Sequence, residues 1–85
     1  MRPAFELVYT QRAAKDIESL DSVVKKRLAK KMLELQADPL GTAQKLIHPK
    51  LGQYRWRVGD YRIVFDLHGP RIVVLRVGHR REIYR

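Results

Sequence analysis

The spacing of apolar side chains along the chain divides it into elements. Residues 5–9 (FELVY) carry large apolar groups at alternate positions, the period of a half-buried strand. Thr10 follows with a hydroxyl suited to capping a short helix over residues 11–20, in which Ala13, Ile17 and Leu20 recur on one face. Asp21 or Ser22 restarts a second helix that runs to about residue 37. Val24, Leu28, Met32 and Leu35 form its apolar stripe, and Lys25, Lys26, Arg27, Lys30 and Lys31 fill much of the opposite face. So short a connection allows only an antiparallel hairpin or a sharp bend. Pro39 and Gly41 stop the second helix, and residues 38–53 read as a loop.

Beyond residue 53 the period becomes two. Tyr54, Trp56 and Val58 alternate with Arg55 and Arg57. Gly59-Asp60 is a two-residue hairpin turn with glycine first, as a type II′ turn requires. The chain returns through Tyr61, Ile63, Phe65 and Leu67, alternating with Arg62, Val64 and Asp66, and residues 68–70 turn it again. Residues 71–77 (RIVVLRV) are apolar on both faces, which places them inside the sheet. Val73, Leu75 and Val77 are expected on its helix-packed face. The predicted fold is α+β: an N-terminal strand, a two-helix hairpin, then a three-stranded antiparallel meander with the helices on one sheet face.

At 85 residues the chain supports a single domain, 1–85, burying roughly 60–65% of its unfolded surface, so a bound partner could add materially to stability. There is no cysteine, which excludes a disulfide framework and thiolate metal sites. His48, His68 and His79 are scattered without ligand spacing, and no glycine-rich phosphate loop precedes a helix; no metal or cofactor is expected. No segment has the layout of a signal peptide or the length to span a bilayer, so a cytoplasmic protein without membrane contact is expected.

Charge adds the first functional clue. The net charge is +9, and it is uneven: residues 1–44 carry eight Lys/Arg against six Asp/Glu, residues 45–85 ten against three. The second half is the candidate anion-binding half. If Gly59-Asp60 is the turn, Arg57 lies across from Arg62, and Arg55, Arg57 and Arg62 share the face opposite the helices. Like charges set across an antiparallel pair cost ~0.2–1 kcal/mol. A bound polyanion would offset that cost, because guanidinium groups match phosphate oxygens bidentately; a solvated face with its arginines kept apart is the plainer alternative. Continuing the alternation adds Arg76, Gly78 and Arg80 to the same face, with Gly78 leaving room for a ligand backbone. His79 points to the helix side. Tyr84 either stacks on a base or packs the chain end down.

At these residues the sequence resembles the RelE family of toxins from type II toxin–antitoxin systems. The resemblance rests on Lys45-Leu46, on residues 51–65 (LGQYRWRVGDYRIVF) and on residues 77–84 (VGHRREIY), and extends over essentially the whole chain. It implies a RelE-like fold and a ribosome-dependent, metal-independent endoribonuclease that cuts messenger RNA in the decoding site. There the RNA's 2′-hydroxyl attacks the adjacent phosphate. It also implies a cognate antitoxin, acidic and partly disordered, whose complex with the toxin binds operator DNA through the antitoxin. By position, Arg57 and Arg62 would clamp the scissile phosphate, Arg80 would neutralise the leaving oxygen, and Tyr84 would orient the nucleotide. Arg55, with Lys45, Lys50, Arg76 and Arg81, would bind RNA. One departure matters: the best-known members carry lysine where this chain has Arg55 and Arg57, and arginine, which keeps its proton in proteins, is a poor general base. Tyr84 and His79 are the proton acceptors that remain. Two rival readings are a ParE-like inhibitor of DNA gyrase, which shares the fold, and a non-catalytic nucleic-acid-binding domain.

Overall fold

A computed structural model describes residues 5–47 and 50–83. Strand β1 (Glu6–Tyr9) leads into helix α1 (Gln11–Glu18), and after three residues α2 (Ser22–Ala37) begins. A two-residue strand β2 (Gln44–Lys45) precedes β3 (Tyr54–Val58), β4 (Tyr61–His68) and β5 (Arg71–His79). The Thr10 hydroxyl accepts a hydrogen bond from the Ala13 N–H at 3.1 Å, the N-cap expected from the sequence, and donates its own proton to the Leu75 carbonyl. Asp21 occupies the N-cap position of α2 but makes no side-chain capping bond.

The five strands form one sheet in the order β1-β5-β4-β3-β2. The meander β3-β4-β5 is antiparallel, and β1 joins β5 in parallel, so β5 is flanked on both sides. The strand β2, paired antiparallel with β3 through Gln44 and Lys45, lies where the sequence pattern predicts only loop. Two polar residues carry no periodicity to betray a strand.

The core lies between the helices and one sheet face. Ala13 of α1 and Leu28, Met32 and Leu35 of α2 pack with Trp56, Ile63, Phe65, Ile72, Val74 and Val77. The Trp56 and Phe65 rings stack at 4.1 Å, and the indole N–H donates to the Pro39 carbonyl at 2.8 Å, fixing the end of α2 over the sheet.

One irregularity resets the faces. Val64 pairs with Arg76 but Phe65 pairs with Val74, leaving Leu75 as the extra residue of a bulge. Ile72 and Val74 therefore join Val77 in the core, in place of the Val73 and Leu75 expected from simple alternation. Leu75 turns to the far face beside Val64, and Gly52 closes over both: a side chain there would begin 2.5 Å from Val64 and 2.9 Å from Leu75. The φ of +147° at Gly52 also favours glycine. Gln53 pins this loop, its N–H donating to the Asp66 carboxylate at 2.7 Å and its side-chain oxygen accepting from the Leu67 N–H. The far face is thus partly roofed rather than an open arginine surface.

Candidate nucleic-acid interface

The turn between β3 and β4 organises the candidate site. Gly59 has φ +61°, and no non-glycine residue among those described has positive φ, so only the first turn position takes the left-handed conformation, as the sequence pattern requires. The turn fixes the register, setting Arg57 across from Arg62 and Arg62 across from Gly78. Arg62 is 6% exposed, and its Nη1 donates to the carbonyls of Gly59 at 2.9 Å and Tyr61 at 3.0 Å. It underpins the turn from within. Arg57 is exposed.

The end of β5 is tied to the same turn. The Arg80 N–H donates to the Asp60 carbonyl at 2.8 Å, and the exposed Arg80 guanidinium lies 3.9 Å from the Asp60 carboxylate. So long and exposed a pair is worth little, ~0–1 kcal/mol, and leaves the guanidinium able to exchange partners. From the other side, Arg27 of α2 brings Nη2 within 3.3 Å of where a Gly59 side chain would begin. Cations from α2, β3, β4 and the segment after β5 therefore meet about one turn whose own carboxylate is Asp60.

The profile of the family described as the ParE toxin of the type II toxin–antitoxin system parDE matches residues 7–84. Toxin RelE3 of Methanocaldococcus jannaschii is 30% identical over 83 residues, covering 93% of this chain and 94% of that one. The chain belongs to the RelE/ParE superfamily of type II toxin–antitoxin toxins. The isolated E. coli RelE toxin superposes with a TM-score of 0.75 at 30% identity, covering 95% of this chain and 92% of that one. The RelBE2 toxin–antitoxin complex of Mycobacterium tuberculosis gives 0.81 at 24% identity, covering 91% and 99%, and shows the same fold.

The other residues singled out in this RelE/ParE-family toxin are placed unevenly. Arg55, half-buried, donates from Nε to the Gln44 side chain at 2.9 Å and braces β2 against β3. Lys45, Lys50 and Arg81 are exposed. Arg76 is turned to α1, its Nε 2.9 Å from the Asp16 carboxylate, which also accepts the Val77 N–H at 3.0 Å where β1 has ended. Its charge is balanced in place rather than offered at the hairpin end. The space expected beside Gly78 is filled: Ile83, 2% exposed, folds back so that its Cδ1 would lie 3.4 Å from a side chain there. A ligand backbone cannot approach at that point without moving the chain's own end. Tyr84 lies outside the described residues.

His79 stands on the helix-packed face, as alternation indicated, pairing with Tyr61 edge to face at 5.7 Å. Its Nδ1 accepts the Arg81 N–H at 3.2 Å, so neutral His79 carries its proton on Nε2. Among the described residues no three His, Asp or Glu side chains stand together as a metal site would need, and no helix is long and apolar enough to cross a membrane. Sequence reasoning missed Arg27. On the helix it is one cation among five, and nothing in the pattern marks it as the one that reaches the turn.

Proposed function

We propose that this toxin is a ribosome-dependent, metal-independent endoribonuclease that cuts messenger RNA in the ribosomal A site and so inhibits translation. The observation that carries the reading is the gathering of Arg27, Arg57, Arg62 and Arg80, from four separate segments, about the Gly59-Asp60 turn. A phosphodiester at that turn would let the exposed Arg57 and Arg80 move onto its oxygens. Buried Arg62 would supply positive potential from beneath and hold the turn carbonyls in place.

The family resemblance implies the chemistry, and that geometry supports it. The RNA's 2′-oxygen bonds to the adjacent phosphorus, the bond to the 5′-oxygen breaks, and a 2′,3′-cyclic phosphate and a free 5′-hydroxyl result. Negative charge grows on the non-bridging oxygens and then on the leaving oxygen. Guanidinium groups drawn onto the phosphate stabilise both, Arg57 at the phosphorane and Arg80 at the leaving oxygen, which takes up a proton from water as it departs. The 2′-hydroxyl proton must pass to water, to Tyr84, or to Nδ1 of His79 once that nitrogen gives up the Arg81 N–H. Arginine at positions 55 and 57 cannot receive it, so in-line positioning carries more of the rate here. Arg55, Lys45, Lys50 and Arg81 would hold the flanking RNA by its phosphates.

The same reading gives the toxin a cognate antitoxin, acidic and partly disordered, that folds on the basic surface and carries the complex to operator DNA. It places the activity in the cytoplasm, with the ribosome. Family membership and the antitoxin-bound relative support that partner.

A second reading, inhibition of DNA gyrase, is favoured by one observation, the ParE description of the matching family profile. A translating extract separates the two. Primer extension should find cuts within translated codons while plasmid supercoiling by gyrase proceeds. Blocked supercoiling with intact transcripts would establish the gyrase reading. Salt-sensitive RNA binding with neither effect would leave a nucleic-acid-binding domain.

A further inference from the structure

A groove on the helix side of the hairpin starts at Arg57 and runs along α2 beyond the residues assigned to the cutting chemistry. It lies between α2 and the β3 end, is lined by Arg27, Lys30, Lys31, Glu34, Arg57 and Gly59 together with Val58, and has a volume of about 370 Å³. Arg27, Lys30, Lys31 and Glu34 stand at i, i+3, i+4 and i+7, one stripe along α2, with neighbouring Cβ atoms about 5–6 Å apart. Among the described residues only Lys31 of these cations meets a carboxylate, Glu34 at 3.8 Å, an exposed pair of little strength. Arg27, Lys30 and Arg57 have no carboxylate partner there. On the outer side of β3, strand β2 pairs only with Tyr54 and Arg55 and so stops short of the groove.

We propose that this groove is a second nucleic-acid site, a sequence-independent track for consecutive backbone phosphates that leads over Arg57 to the hairpin turn. The inference rests on the RNA-directed reading above and extends it. Four cations against one carboxylate select a polyanion. The lining has no aromatic ring on which a base could stack, so the site grips backbone and reads no sequence. It also lacks the buried aromatic or aliphatic pockets with which a peptide partner is anchored, since Val58 is its sole large apolar group. Arg57 belongs to both sites and makes them continuous.

The test is the salt dependence of binding to a short 2′-O-methyl oligouridylate, which lacks the attacking hydroxyl and stays intact. Each phosphate contact on a single strand contributes about 0.7 to the slope of log K against log salt. The double variant K30Q/K31Q should lower that slope by about 1.4 and weaken oligoadenylate binding to the same extent. A charge-matched control on exposed residues outside the groove, K15Q/K26Q, should keep the slope of the unaltered protein. Circular dichroism verifies that both variants keep their helices. An unchanged slope in K30Q/K31Q overturns the track while leaving an RNA-directed protein. A loss that depends on the base overturns its sequence independence. A double variant that keeps its RNA slope but loses binding to polyglutamate assigns the groove to an acidic protein instead. If the unaltered chain binds neither oligonucleotide, the track is overturned, and the ribosome-dependent reading stands or falls on the translating-extract assay alone.

Discussion

The two hairpin turns of the sheet share a backbone and differ in everything around it. Gly59 and Gly69 have φ of +61° and +58°, each closing an antiparallel pair with β4. At Gly69 a side chain would meet nothing within 4 Å. Nearby, Arg71 is matched by Glu6 at 3.4 Å, and the His68 ring lies 3.7 Å from the Asp66 carboxylate. At Gly59 cations from four segments converge on one acidic residue, with Arg62 buried beneath. Turn chemistry is a local requirement met identically twice. What sets the Gly59 end apart is supplied by distant elements, α2 and the segment after β5, that the fold delivers to it.

That contrast can be broken or sharpened by substitution. The largest effect is expected at Arg80. Arg80→Ala should lower message cleavage in a translating extract by about 10²–10³-fold, the range for losing one preorganised donor to a developing charge, while thermal unfolding is nearly unchanged because its Asp60 contact is long and exposed. Next come the glycines. Gly59→Ala and Gly69→Ala should each destabilise by about 1–2 kcal/mol in urea unfolding, the cost of a side chain in the left-handed region. Only Gly59→Ala should also impair cleavage, because it presses on Arg27. Equal effects on cleavage would erase the distinction between the turns.

The smallest effect lies at Tyr9, the last residue of β1, which pairs with Val74 midway along β5. Its hydroxyl donates to the Met32 sulfur at 3.2 Å, and burial pushes its pKa up from the ordinary 10.0. The folded state then prefers the neutral phenol. This contribution is whole below pH 10 and is lost as pH rises through the higher folded-state value. Tyr9→Phe should flatten that alkaline loss of stability, measured by urea unfolding at stepped pH, and leave cleavage unaffected.

Much of this was legible in the sequence because it depends on neighbours along the chain. Thr10 announced its helix, the 3.6 period gave Leu28, Met32 and Leu35 to the core, and a two-residue turn left one register for Arg57 and Arg62. What stayed hidden depends on distance or on phase. Residues 71–77 are apolar on both faces, so nothing in them marks Leu75 as the bulge. Asp16 finds Arg76 sixty positions away, and that pairing withdraws a cation the composition counted as available. Ile83 fills the place beside Gly78 that the sequence left open. Arg27 differs from its helical neighbours only in where α2 comes to rest.

The central claim is that cations gathered at one turn act together on a single phosphodiester, and matched charge removal at the two turns tests it most directly. Single-turnover cleavage of message on programmed ribosomes would be compared for Arg57→Ala and Arg71→Ala, each removing one exposed arginine. A rate about 10²-fold lower for Arg57→Ala beside an unaltered rate for Arg71→Ala is the expected result. Equal losses would show that net charge alone matters, and no loss in either would contradict the account.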